Sequence, residues 1–303
     1  MSNIKVNLCG VEFNNPILTA SGTFGFGREY AEFYPLSALG GVCTKGLTNN
    51  VKAGNPYPRI AETPMGMINA VGLQNPGVEA FIEHDSVWLK AQGTNVIANV
   101  AGNSTEDYER IVDRISDVPE VDMIELNISC PNVKEGGMAF GVLPSSVENI
   151  TKAVKKYARK PLIIKLSPNV ANIVDNAKAA EAGGADAISL INTVSGMAVN
   201  YKTRRPILAN VNGGMSGPCV KPIALKMVWN CYNNVDIPII GLGGIASYTD
   251  VLEFMICGAS AVEVGTANIM NPMASYNIAR DLTSYVEESD IDINSLVGTL
   301  IVD

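Results

Sequence analysis

Long apolar runs are missing from this sequence, and nothing in it approaches the roughly 20 residues that a bilayer-crossing helix needs. The N-terminus, MSNIKVNLCGVEF, lacks a charged segment followed by an apolar one, so no secretory signal is expected. Positive charge is also scarce. Lys and Arg number 22 against 30 Asp and Glu, a formal net charge of −8. Nucleic acids and anionic lipids both need basic surface, so neither is an expected partner. Histidine is nearly absent. The single one, His84, sits in a polar stretch away from every expected strand end and reads as a surface residue. A histidine base and a Cys–His nucleophile pair are therefore not expected. The six cysteines, at 9, 43, 130, 219, 231 and 257, form no C-x-x-C pair. They signal neither a zinc site nor an iron–sulfur cluster, and no metal is expected. Reduced thiols in the cytoplasm are the natural reading.

What is present is enough apolar residue, 47% of 303, to bury a large core. Short apolar runs suggest strands at Ile17–Ala20, Gly41–Thr44, Asn95–Ala98, Asp122–Leu126, Leu162–Ile164, Ala187–Leu190, Ile239–Ile240 and Ala261–Val264. Helix-like stretches such as Ser145–Ala158 and Ile173–Ala182 lie between them. Alternation of this kind implies parallel βα units, and eight of them close a barrel. The expected fold is an α/β, (β/α)8 TIM barrel in one domain, 1–303, with inserted loops and a hairpin at the C-terminal mouth. The inserts are Thr48–Gly77, which should hold a hairpin and an active-site loop, Pro131–Pro144, which resembles a lid, and Val194–Pro222, with turns at NGG and SGP.

Polar residues follow each run: Ser21-Gly22, Lys45-Gly46, Asn99, Asn127, Lys165, Asn192-Thr193, Gly243-Gly244 and Gly265-Thr266. In a barrel these converge on the mouth where active sites sit. GLGGIAS at 241–247 lets the backbone approach an anion just before a helix, and VGTAN at 264–268 repeats the arrangement one strand later. Together they suit the usual phosphate site of a barrel. Gly241, Gly243 and Ala246 also fit a dinucleotide fingerprint, with Glu263 as its ribose acid. That fingerprint normally opens a domain, whereas this one follows six strands.

The segment Asn127–Asn132, NISCPN, places Cys130 just past a strand end. A free thiol with a pKa of about 8.5 is partly thiolate at neutral pH and can serve as a base. Lys45 and Lys165 end apolar strands, and a buried lysine needs an anion. One could hold a substrate carboxylate and the other could balance charge on a reduced flavin. Asn69, Asn99, Asn127 and Asn192 offer amides that both donate and accept, as the edges of planar imide-like rings require.

Eight motifs, in order, resemble the dihydroorotate dehydrogenases: KG at 45–46, NAVGLQNPG at 69–77, NISCPN at 127–132, IKLSPN at 164–169, INT at 191–193, GGMSGP at 213–218, GLGGI at 241–245 and VGTA at 264–267. The loop ETPMGMINAVGLQNPG and the segment NVKEGGMAFG resemble class 1B, the NAD-linked catalytic subunit. The membrane-bound class 2 carries an N-terminal extension and a serine base where this chain has Cys130. Ser195 departs from the pattern, which has a larger apolar residue there. The resemblance implies oxidation of (S)-dihydroorotate to orotate in de novo pyrimidine biosynthesis. Cys130 would take the C5 proton while hydride leaves C6 for flavin N5. It implies one FMN on Ser21, Lys45, Gly46, Asn99, Asn127, Lys165 and Ile191, with Gly217 nearby and the phosphate on Gly243, Gly244, Gly265 and Thr266. It places substrate against Lys45, Asn69, Ala70, Val71, Gly72, Leu73, Asn127, Asn192 and Thr193. It also implies a homodimer joined by two subunits carrying FAD and a 2Fe-2S iron–sulfur cluster. Alternatives left open are a class 1A-like homodimer using fumarate and another flavin-dependent pyrimidine oxidoreductase. Outside the class stand a lyase forming a Schiff base on Lys165 and a phosphate-ligand binding protein without chemistry.

Overall fold

The computed structural model describes residues 3–129 and 140–302. Eight parallel strands close a barrel: β1 Ile17–Thr19, β2 Gly41–Cys43, β3 Asn95–Val100, β4 Met123–Asn127, β5 Leu162–Lys165, β6 Ala187–Leu190, β7 Ile239–Leu242 and β8 Ala261–Val264. Each strand pairs with its neighbours in sequence, and β8 returns to β1. These are the eight expected strands, two with unchanged bounds and the others with ends moved by at most two residues. The shift matters at the mouth, because Asn99, Asn127 and Lys165 lie within their strands and not after them. Pairing with neighbouring strands therefore fixes their Cα positions, Lys165 on both sides and Asn127 against Lys165, a stiffer mounting than a loop provides.

Helices Thr105–Ser116, Pro144–Lys155, Ile173–Ala182, Lys221–Tyr232, Tyr248–Ile256 and Ala274–Ser289 pack outside the barrel. Thr105–Ser116 shows why one face turns inward. Tyr108, Ile111, Val112 and Ile115 recur at helical spacing and are fully buried, while Ser104 caps the first turn by accepting from the Asp107 N–H. No α-helix follows β1, only 3₁₀ turns at Tyr30–Glu32 and Leu36–Ala38. A hairpin, Val6–Leu8 with Val11–Phe13, lies at the N-terminal end of the barrel, where the Phe13 ring packs beside Gly41 at the start of β2.

The inserts form a second sheet at the other end. Its order is Val194–Met197, Asn212–Ser216, Gly66–Asn69, Ile60–Thr63, all antiparallel. The hairpin expected between 48 and 77 is thus present as Ile60–Thr63 and Gly66–Asn69. The expected NGG turn is not: Asn212, Gly213 and Gly214 are strand residues. Packing explains these glycines, since a Cβ on Gly213 would meet Asn69 O at 2.6 Å and one on Gly214 would meet Thr193 Oγ1 at 1.9 Å.

Candidate active site

A cavity of about 1370 Å³ opens at the C-terminal mouth, between the barrel and the second sheet. That exceeds the ordinary range for a single ligand, about 300–1,000 Å³, and leaves room for a cofactor and a substrate together. All the residues expected to bind FMN or substrate line it. Cys130 and most of the 131–144 segment lie outside the described residues. Ser129, the last described residue before them, lines the cavity, and its buried hydroxyl has no partner among the described residues.

Beneath the cavity the barrel core changes character. Barrel interiors are filled in layers by alternate strands, usually with Val, Ile and Leu. Here the even strands contribute Cys43, Glu125, Ser189 and Glu263, all buried and all polar or ionisable. From β5 the Lys165 ammonium reaches down to this layer. It donates to Glu125 Oε1 at 3.1 Å and to Glu263 Oε2 at 2.7 Å. Glu125 also accepts from Ser189 Oγ at 2.6 Å, Asn99 Nδ2 at 2.6 Å and Cys43 Sγ at 3.2 Å. Burial alone would raise the Glu125 carboxyl, yet Lys165, and then hydrogen bonds with Glu263, Ser189 and Cys43, bring it down to about 2. Burial, and next the Glu125 charge, push Glu263 well above the ordinary carboxylate range. Burial opposes the charged form of Lys165, but Glu125 and then Glu263 outweigh it and hold the ammonium protonated.

This network settles two of the sequence readings. A Schiff-base lysine needs a depressed pKa, and Lys165 is shifted upward, so it is not a nucleophilic amine. Glu263 is buried at the cavity floor with its Oε2 committed to the Lys165 ammonium, so it is not a ribose-binding acid and the dinucleotide fingerprint fails. Sulfur and carboxyl oxygens of Cys43, Glu125 and Glu263 lie within 4.8 Å of one another, which would suit a cation. The Lys165 ammonium already supplies that charge. Sequence reading missed Glu125, Ser189 and Cys43 as parts of the site. The signal was an acid in mid-strand, IEL in β4 and VEV in β8, where only apolar residues are expected.

At the mouth the side chains are held less tightly. Burial, and next the nearby Arg59 charge, lower the Lys45 pKa. Among the described residues Lys45 makes no ion pair. Asn192 Nδ2 donates to Asn127 Oδ1 at 3.3 Å, and Asn69 Nδ2 donates to Gly214 O at 3.3 Å. Asn99, anchored through its Nδ2, leaves Oδ1 buried without a partner among the described residues. Ser195, where the resemblance expects a larger apolar residue, is exposed on the second sheet.

The glycine turns also differ in one respect from expectation. Asp250 Oδ2 accepts from the backbone N–H groups of Ala246 and Ser247, both at 2.8 Å, so the helix at Tyr248–Ile256 is capped from within. What remains for an anion is the backbone of Gly243, Gly244, Gly265 and Thr266. Gly244, at φ +81°, packs so closely that a Cβ would lie 2.8 Å from Gly217 O.

Residues 3–286 match the family model described as dihydroorotate dehydrogenase. The chain belongs to the dihydroorotate dehydrogenase family. It is 55% identical over 299 residues to a protein of Alkaliphilus oremlandii (strain OhILAs), covering 98% of this chain and 99% of that one. It is 56% identical over 299 residues to one of Alkaliphilus metalliredigens (strain QYMF), with the same coverage. It is 50% identical over 300 residues to one of Geotalea uraniireducens (strain Rf4), covering 99% and 98%. All three are named dihydroorotate dehydrogenase B (NAD(+)), catalytic subunit. Dihydroorotate dehydrogenases are flavin-dependent oxidoreductases. Among the described residues no helix is long and apolar enough to cross a membrane.

Proposed function

We propose that this chain oxidises (S)-dihydroorotate to orotate with FMN, as the catalytic subunit of an NAD-linked enzyme of pyrimidine biosynthesis. The observation that carries the reading is the convergence of the family's motifs, from six different strand ends and two inserts, on one cavity above a lysine held as an ammonium.

The residues present fit FMN. Among the described residues the buried Asn99 Oδ1 has no donor, and a flavin edge could supply one. An added Cβ on Gly22 would meet nothing within 4 Å, so the cavity wall there is bare backbone that a ring could approach. Ser21, Lys45, Gly46, Asn99, Asn127, Lys165, Ile191 and Gly217 would hold the cofactor, with Gly243, Gly244, Gly265 and Thr266 around its phosphate. When bound, FMN supplies the acceptor for the hydride leaving substrate C6. Lys45, its ammonium destabilised by burial, gains most from an anion and would take the substrate carboxylate. Asn69, Asn127, Asn192 and Thr193, with the backbone of 70–73, would read the ring edge. Cys130 would accept the C5 proton. Electrons would then pass to NAD through a partner subunit bearing FAD and an iron–sulfur cluster, in a cytoplasmic assembly built on a homodimer of this one-domain chain.

Anaerobic titration of the purified protein tests this. Dihydroorotate should bleach a bound flavin stoichiometrically. In Cys130→Ala the flavin should still bind, with bleaching slower by roughly 10²–10⁴-fold, the usual worth of a general base. A flavin that stays oxidised in the parent protein would sink the substrate assignment. Bleaching at full rate in the variant would remove Cys130 from its role.

A further inference from the structure

Two carboxyl groups and one ammonium share the buried floor of the cavity. Glu125 and Glu263 are each about fully buried, and Lys165 is the one cation among the described residues in contact with both. Two adjacent buried carboxylates cannot both be ionised cheaply, and one ammonium balances only one of them. The donors are unequally distributed. Glu125 receives Ser189, Asn99, Cys43 and Lys165, so both its oxygens are occupied. Among the described residues Glu263 accepts only from Lys165, on Oε2; a side-chain hydrogen bond joins it to Glu125, and its buried Oε1 accepts from no described donor. Its flanking strands, Ile17–Thr19 and Ile239–Leu242, bring no titratable side chain. Cys43, across the barrel, brings a thiol whose own pKa burial pushes up. Beyond Lys165, which Glu263 shares with Glu125, nothing among the described residues stabilises a second negative charge.

We propose that Glu125 and Glu263 hold one proton between them, with Glu263 as the neutral acid, and that this proton sets the charge which Lys165 presents to an electron-accepting ring in the cavity. The role in redox chemistry rests on the FMN reading above; the proton itself does not. With Glu263 neutral, the cluster of Glu125, Lys165 and Glu263 sums to zero. With Glu263 ionised it would carry a negative charge directly below a ring that gains electrons, and reduction would be disfavoured. Glu263 is thus a positioning residue for charge, acting through Lys165, and its proton is part of the site's electrostatics.

Infrared spectroscopy of the protein without flavin reads the proton directly. The carbonyl stretch of a buried carboxylic acid, shifted in deuterium oxide, should be present in the parent protein. It should vanish in Glu263→Gln. It should vanish also in Glu125→Gln, because the one remaining carboxyl must then ionise to match Lys165. A parent spectrum without that band, or a band surviving either substitution, overturns the shared proton. The consequence is read separately with FMN bound, by equilibration with a redox dye. Glu263→Gln replaces a neutral acid with a neutral amide, so the ratio of reduced to oxidised flavin at a fixed dye potential should move less than threefold. A tenfold gain, about 30 mV for two electrons, would mean that a negative charge had been removed and would overturn the assignment. If Glu263→Gln does not fold, the parent and Glu125→Gln spectra decide. If no flavin binds, the infrared result still stands or falls alone, and only the functional reading is lost.

Discussion

Lys165 illustrates how much can depend on one side chain. It is almost completely buried, and its ammonium is the counterweight to two buried carboxyl groups. Removing one partner of a buried charge cluster typically costs about 3–5 kcal/mol, because the remaining charge has neither water nor a partner. Lys165→Ala should therefore lower the unfolding free energy of the flavin-free protein by about that amount, measured by denaturant titration. A loss below about 1 kcal/mol would mean that the carboxyls are less sealed than their burial implies. The sequence made Lys165 and Lys45 visible, since a lysine ending an apolar strand is anomalous. It did not distinguish their roles. The difference comes from Glu125 and Glu263, which converge only when β4 and β8 meet β5 across a closed barrel. That juxtaposition spans up to 138 positions of sequence separation between Glu125 and Glu263 and leaves no local trace.

At the scale of elements, the helix at Tyr248–Ile256 carries more than packing. Ser247 and Asp250 form a reciprocal cap, and Lys221 donates to Asp250 at 2.6 Å, tying this helix to the start of Lys221–Tyr232. Both helices flank Gly243 and Gly244. Burial would raise the Asp250 carboxyl, but Lys221 and the Ala246 and Ser247 donors lower it on balance. A depressed carboxylate contributes stability above its unfolded value, about 3.9, and loses it as pH falls through the folded value. Asp250→Ala should thus cost about 1–2 kcal/mol at neutral pH. The gap from the parent protein should close as pH drops below about 3.9, as thermal melts across pH would read. A gap independent of pH would rule out the ionised cap. The strands, and the helices at Pro144–Lys155 and Ile173–Ala182, were legible from sequence because short apolar runs between helical patterns have few alternatives. The glycines of Asn212–Ser216 were misread as a turn. Glycine marks both turns and close packing, and only the neighbours Asn69 and Thr193 decide which.

For the whole molecule, the distribution of sulfur bears on where electrons go next. Burial raises the pKa of Cys9, Cys43, Cys231 and Cys257. Thiols held protonated are poor cluster ligands, and no two cysteines are spaced for one. The isolated chain should therefore bleach its flavin with dihydroorotate yet leave NAD unreduced until an FAD- and iron–sulfur-bearing partner is added. Formation of NADH by the chain alone would contradict the proposed division of labour. The roof of the cavity has its own consequence. Gly66–Asn69 pairs with Ile60–Thr63 on one side and with Asn212–Ser216 on the other, so two inserts more than a hundred residues apart are woven into one sheet. Neither can be transplanted alone, because a graft of 194–216 from another barrel would leave residues 66–69 with a bare, adhesive edge. Chimeras meant to retune substrate choice must exchange both segments together, as a single cassette.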